Sequence, residues 1–315
     1  MKSERYHTYS QYLKNLYGEK VYKLPVNLPI TCPNRLGGNG CTFCAPAGTG
    51  FEARDSHMSV ERQLLENKEH IEKKYKAHKF IAYFQNYTNT FLLPDTLKGY
   101  LYQAANVKDI VEISISTRPD CISDDILTML SDFKKDTEIA IHLELGLQTA
   151  NYHTLKKIHR GHGLAEFIDA ILRISRYGFT VCAHVILNLP GDTVDDVIET
   201  AKILSVLPVQ MAKLHSLYIA KNSPMAQDYL AGKLTICSQE EYLERVVVFL
   251  EYVRPDMIIE RLFSRIPEED ALFSNWGHSW WKLDARLREI LEEKDIFQGD
   301  LCHYMNGPCL ALLKG

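Results

Sequence analysis

Between residues 79 and 217, short apolar runs alternate with stretches whose apolar positions recur at the helical period. The runs read as buried strands: FIAYF (80–84), IVEISIS (110–116), EIAIHLELG (138–146), FTVCAHVIL (179–187) and QMAKLHSLY (210–218). Between them PDTLKGYLYQAANV, SDDILTMLSDFKKD, GLAEFIDAILRISRYG and TVDDVIETAKILSVL read as helices. Strands alternating with helices imply a parallel sheet with helical crossovers. Local signals agree: Ser123 precedes two aspartates, Asp192-Thr193 precedes an acidic first turn, and Gly178 follows a last turn. Upstream, VYKLPV supplies a first strand and residues 58–78 its helix. The expectation is an α/β fold, a partial (β/α)6 TIM-like barrel that need not close. Its site would then lie at the C-terminal ends of the strands.

After residue 220 the pattern changes. NSPMAQDYLAGKL reads as a loop, SQEEYLERVVVFLEYV as a long helix, MIIERLF as a short strand and ARLREILEEK as a final helix after the aromatic stretch NWGHSWWKL. The expected division is a barrel over 1–220, including the N-terminal segment, with a C-terminal extension over 221–315 packed on it.

The 315 residues, 46% hydrophobic and 24% charged, provide ample material for a large core. No apolar run approaches the roughly 18 residues of a membrane span. The start, MKSERYHTYSQYLKNLYGEK, lacks the apolar segment of a secretory signal, so a cytoplasmic protein is expected. Lys+Arg 36 against Asp+Glu 40 gives a net charge of -4, which supplies no global attraction for nucleic acid. Any RNA would be held by local patches such as KKYKAHK (73–79) or Lys282, Arg286 and Arg288. As solvated helix faces these need no further explanation.

The eight cysteines are too few for a disulfide scaffold in a chain of this length. Cys32, Cys41 and Cys44 cluster in CPNRLGGNGCTFC directly after the first strand, where glycine, proline and asparagine impose a loop able to wrap a metal. Thiolates favour iron–sulfur clusters or zinc. Structural zinc takes four protein ligands, and no fourth Cys or His follows at the usual spacing. Three thiolates on a cubane leave one iron open. Zinc with a remote fourth ligand, or three unrelated cysteines, stay as alternatives. Cys302 and Cys309 read as incidental.

The three-cysteine loop, followed by YFQNYTNT, ISISTRPD, LELGLQTAN, HRGH, LNLPGDT, KLHSLYIAKNSPMA, ERLF and WWK, resembles the radical S-adenosylmethionine (radical SAM) superfamily, within it the YhcC/YtqA-like (MnmL-like) branch. The resemblance implies that Cys32, Cys41 and Cys44 hold a [4Fe-4S] cluster whose fourth iron is chelated by S-adenosyl-L-methionine (SAM). One-electron reduction would then yield a 5'-deoxyadenosyl radical. It further implies SAM contacts at Thr88 and Asn89, where the family's acidic motif is replaced by neutral groups. Ser116, Arg118, Glu144, Gln148, Arg160 and His184 complete that set, with Gln148, Arg160 and His184 at the ribose or carboxylate. A structural ion pair of Glu144 with Arg118 or Arg160, and a core role for His184, are the competing readings. Lys213 and His215 share one face of the sixth strand and are candidate substrate contacts; Tyr218 takes the other face unless the strand bends. Arg261, Asn275, Trp281 and Lys282 are placed to close the barrel mouth, Arg261 and Lys282 being the substrate candidates among them. For the paired tryptophans, plain packing is the rival use. The implied substrate is the wobble uridine of tRNA, converted from the 5-carboxymethylaminomethyl toward the 5-aminomethyl form, with flavodoxin or ferredoxin as electron donor. The alternatives are a small-molecule substrate and a non-catalytic iron–sulfur protein.

Overall fold

The computed structural model describes residues 4–45, 48, 50 and 52–310. In chain order the elements are α1 (Tyr9–Tyr17), β1 (Val21–Val26), α2 (Val60–Tyr75), β2 (Lys79–Phe84), α3 (Pro94–Ala105), β3 (Ile110–Thr117), α4 (Asp124–Thr137), β4 (Ala140–Gln148), α5 (Tyr152–Lys157), α6 (Leu164–Arg176), β5 (Thr180–Ile186), α7 (Val194–Val206) and β6 (Met211–His215). They continue with β7 (Ile219–Ala220), α8 (Pro224–Leu230), α9 (Gln239–Tyr252), β8 (Ile258–Arg261), β9 (Ala271–Phe273) and α10 (Trp280–Glu293). Seven strands form one curled parallel sheet in the order β1-β2-β3-β4-β5-β6-β8, while β7 and β9 make a small antiparallel pair.

Alternation along each strand divides two environments. On β4, Ile141, Leu143, Leu145 and Leu147 join the core beneath the helices, which leaves His142, Glu144 and Gly146 to the concave side. The same parity puts Ser114 and Ser116 of β3, and His184 of β5, on that side. The helices are capped as expected: Ser123 accepts from the Ile126 amide, and Thr193 forms a capping box with Asp196.

Three elements differ from the sequence reading. The strand in MIIERLF is not isolated in the extension; it pairs parallel to β6 as the seventh strand of the sheet. Residues 224–230 form helix α8 where a loop was expected, because Ser223-Pro224 opens a helix with Pro at its first position. The sixth strand ends at His215 and not at 218, so Tyr218 lies beyond the ladder and turns toward the same cavity as His215. The edge of β8 is not left bare. Ile259 donates its amide to the His7 carbonyl at 2.8 Å, and Thr8 bridges to Ile259, so the segment leading into α1 covers it. Among the described residues no helix is long and apolar enough to cross a membrane.

Candidate active site

A network of charges fills the lower concave side of the sheet. Glu144 of β4 is fully enclosed and accepts from Lys23 (2.6 Å), Lys213 (2.9 Å), Ser114 (2.6 Å), Tyr83 (3.0 Å) and His184 Nε2 (2.6 Å). Glu260 of β8 accepts from the same two lysines, at 2.7 and 2.8 Å. Burial opposes the charge on Glu144, yet Lys213 and Lys23 outweigh it and hold the carboxyl well below the usual range. Glu260 is likewise lowered, its burial and the repulsion from Glu144 being overcome by the lysines. Burial lowers the pKa of His184, the bond to Glu144 opposing it only partly, so the imidazole is neutral near pH 7 and donates to the carboxylate. The rival reading, an ion pair of Glu144 with Arg118 or Arg160, does not form; the charged partners of Glu144 are Lys23 and Lys213. A bulge between Ala212 and Lys213 of β6 and the facing β8 sets two consecutive residues to use: Glu260 joins the charge network while Arg261 lines the cavity above.

The cysteine loop lies over the C-terminal ends of the strands, and each sulfur meets its own guanidinium. Arg118 Nη1 stands 4.0 Å from Cys32 Sγ, Arg160 Nη1 3.6 Å from Cys41 Sγ and Arg35 Nη2 3.3 Å from Cys44 Sγ. Asn34 also donates toward Cys41 Sγ at 3.5 Å. These groups are fixed from behind. Arg118 forks onto Asp120 at 2.9 and 2.7 Å and donates to the Arg160 carbonyl, and Arg160 donates to the Gly146 carbonyl at 2.8 Å. Gly146 must be glycine for this, since a Cβ there would sit 2.6 Å from both Arg160 Nη2 and Gln148 Nε2.

The three thiols share one cavity with Thr88, Ser116, Arg118, Glu144, Gln148, Arg160 and His184. Asn89 does not line it: its amide donates to the carbonyls of Phe84, Asn86 and Ser116 and fixes the turn after β2. Gln148 takes a left-handed backbone (φ 78°) at a bulge ending β4, a costly conformation for a non-glycine residue. It turns toward the cofactor cavity and also lines an adjoining inner pocket with His184, Lys213, His215, Tyr218 and Arg261. Burial, then His184 and Arg261, hold the His215 pKa well below the usual histidine range. Beyond the inner pocket, a groove of about 840 Å³ carries Arg261, Arg265, Asn275 and Trp280 on its wall. Asn275 anchors it by accepting from Ser216 Oγ (2.6 Å) and donating to the Ser264 carbonyl (2.9 Å). Lys282 and Trp281 are exposed on α10 and line none of these cavities; the lysine ammonium sits 5.6 Å from the Trp281 ring centroid.

Comparison with known proteins settles the family. Residues 27–204 match the radical SAM superfamily and residues 209–293 the radical SAM C-terminal domain. The chain belongs to the radical SAM superfamily. This radical SAM protein is 35% identical to YtqA of Bacillus subtilis over 94% of its own length and 92% of that protein. It is 33% identical to YhcC of Escherichia coli, covering 90% and 91%. A tRNA-2-methylthio-N(6)-dimethylallyladenosine synthase of Thermoanaerobacter is more distant, 25% identical over 74% of this chain and 49% of that protein. Among solved structures, Elp3 of Methanocaldococcus infernus superposes with a TM-score of 0.67 at 16% identity, over 88% of this chain and 64% of that one. The coproporphyrinogen III oxidase HemN of Escherichia coli gives 0.50 at 18%, over 74% and 53%. Both share the curled half-barrel.

The family's cofactors are a [4Fe-4S] cluster and SAM, and the residues present fit them. Among the described residues no three Cys, His, Asp or Glu side chains converge as ligands of a single ion, whereas a cubane spreads its thiolates over separate irons. Three thiols answered by three guanidiniums suit a polyanionic cluster. At the cavity wall Thr88 Oγ1 and Arg160 Nε are buried without a partner among the described residues, polar atoms free for a ligand of mixed charge such as SAM. Sequence reasoning missed Arg35, Tyr83, Lys23, Glu260 and Arg265. Arg35 had a signal, its position inside CPNR; the others are joined to the site only by strand register.

Proposed function

We propose that this radical SAM enzyme acts on tRNA at the wobble uridine, taking a 5-carboxymethylaminomethyl group toward the 5-aminomethyl form. One observation carries the reading: the cofactor cavity adjoins an inner pocket, and that pocket opens on a wide groove walled by Arg261, Arg265 and Trp280. A splayed base needs such a pocket, and its flanking nucleotides need a cationic and aromatic surface outside it. Wobble bases are single-stranded, so turning one inward costs little. The similarity to a protein named as a tRNA-modifying synthase supports the same substrate class.

When bound at Cys32, Cys41 and Cys44, the cluster and SAM supply one-electron chemistry and hydrogen abstraction. The chain's own residues do the rest. Gln148, Arg160 and Thr88, which line the cysteine cavity, position SAM there. The carboxymethyl carbon of the substrate adjoins a secondary amine, which stabilises a radical there once the nitrogen is unprotonated. Neutral His215, facing the inner pocket beside His184, offers a ring nitrogen that can accept a hydrogen bond from that amine's N–H. An electron donor such as flavodoxin or ferredoxin, and a cytoplasmic site of action, belong to the same reading.

Nucleoside mass spectrometry of tRNA from a strain lacking the protein tests it. The expected result is accumulation of 5-carboxymethylaminomethyluridine with loss of the 5-aminomethyl form and its derivatives. An unchanged wobble profile overturns the reading and leaves a small-molecule substrate.

A further inference from the structure

The lining of the inner pocket is unbalanced in charge. Among the described residues Lys213, Arg261 and Arg265 all contribute to it, and no aspartate or glutamate does. Lys213 is already committed to Glu144 and Glu260 beneath the floor. Arg261 is different. It forms no hydrogen bond or ion pair with any described residue, although it is partly buried at the end of β8 and faces both the pocket and the outer groove. A guanidinium held in a cavity wall without an acceptor is costly unless a ligand completes it. Arg265 stands at the same neck with its guanidinium 4.1 Å from the centroid of the Trp280 ring, a cation–π contact that aims it but satisfies none of its donors. Ser264 between them is drawn inward, its hydroxyl donating to the Ser216 carbonyl at 2.5 Å and its amide to Ser216 Oγ at 3.0 Å, which fixes the backbone carrying both arginines.

We infer that Arg261 is a specificity residue that receives a carboxylate carried by the substrate, in the fork geometry that guanidinium and carboxylate share. The inference rests on the tRNA reading above and deepens it: the anion is the carboxylate of the substrate's own carboxymethyl arm, not a backbone phosphate and not the carboxylate of SAM. Position separates these. Arg261 lies in the inner pocket beside His215 and Tyr218 and does not line the cysteine cavity. Arg265, exposed at the neck, is left to the phosphates outside. The arm is thus held by its charged end, and the adjacent carbon is presented toward the cofactor side through the wall shared by Gln148 and His184. An enzyme built this way distinguishes substrate from product by the anion it removes.

The experiment compares two RNAs of one sequence: tRNA isolated from the deletion strain, bearing 5-carboxymethylaminomethyluridine, and its unmodified transcript. Wild-type protein with its cluster and SAM should bind the first about ten- to one-hundredfold more tightly, as a charge-assisted pair predicts. Arg261→Gln should erase that preference, the loss falling mainly on the modified RNA, and Arg261→Lys should retain part of it. Iron content and far-UV circular dichroism establish that each variant is folded. A preference that survives in Arg261→Gln, or an equal loss toward both RNAs as a phosphate contact would give, overturns the inference while the tRNA reading stands. A deletion strain with an unchanged wobble profile overturns both.

Discussion

At the residue scale, the pairing of each cysteine sulfur with a guanidinium fixes an electrostatic property. Positive charge and N–H donors directed at the sulfurs favour the reduced, more negative cluster and so raise its potential. Arg35→Gln should therefore shift the cluster's midpoint potential to more negative values in an EPR-monitored redox titration; a shift in the opposite direction would refute that role. The charge network makes a second prediction. Removing one member of a fully buried ion pair typically costs about 3–5 kcal/mol, so Glu144→Gln, which leaves two lysines facing only Glu260, should lower unfolding free energy by that order in urea titrations. A third concerns acid. Burial is the leading cause of lowered pKa values at His162, to about 3, and at His184 and His215. Below the ordinary histidine value of 6.5 the unfolded chain takes up protons that the folded chain refuses, so stability falls as pH drops from 6.5. Glu144 and Glu260 act at the next stage, their contribution being complete above the ordinary value of 4.5 and lost as pH falls toward their lowered ones. Urea midpoints at pH 7.5, 6 and 5 should decline, and His162→Gln should flatten the decline; a level profile would contradict the assignment.

At the scale of elements, two glycines, Gly146 near the end of β4 and Gly161 between α5 and α6, allow close packing around the cysteine loop. Gly161 has φ +81° and a Cβ on it would come 2.5 Å from Asn34 Oδ1, while Gly146 packs against Arg160 and Gln148. Gly161→Ala should displace the loop and reduce iron loading on anaerobic reconstitution, whereas Gly146→Ala should spare iron and weaken SAM binding measured by calorimetry. The order of strands and helices was legible because parallel strands covered on both faces read as apolar runs, as FIAYF and IVEISIS do. What escaped were properties set by register across the sheet. Nothing local in MIIERLF says which edge it joins, and nothing around Glu144 says that its partners come from 121 residues earlier and 69 later. Helix α8 was legible in retrospect, since Ser-Pro is a start signal as well as a turn signal. The cysteine loop was the clearest feature because its spacing is chemical, not conformational. Asn89 shows the converse, a polar residue at the right place in the order whose amide N–H groups hold the turn after β2 and which does not line the cysteine cavity.

At the scale of the molecule, the net charge of -4 leaves RNA attraction to patches, and several are already shared with carboxylates. Lys73 sits 2.6 Å from Glu69, and Arg286 faces Glu289 and Glu293. Affinity for tRNA should still fall as salt rises, through release of counterions, and Arg265→Glu should weaken binding further at every salt concentration. Binding indifferent to salt would show that phosphates are not held at this mouth.

The lysine of β1 has a consequence for the order in which the protein is made. Lys23 is paired with Glu260, 237 positions later in the chain, and at about 5–20 residues per second that partner emerges from the ribosome some tens of seconds afterwards. Until it does, two ammonium groups share one carboxylate at the bottom of an unfinished half-barrel whose last strand is still unsynthesised. The lumen is therefore complete only once β8 has been made, and the cysteine loop that rests on it gains its final support at that point. Truncation before residue 258 therefore removes more than a terminal decoration: it takes Glu260 from the interior of the barrel and leaves Lys23 and Lys213 to Glu144 alone.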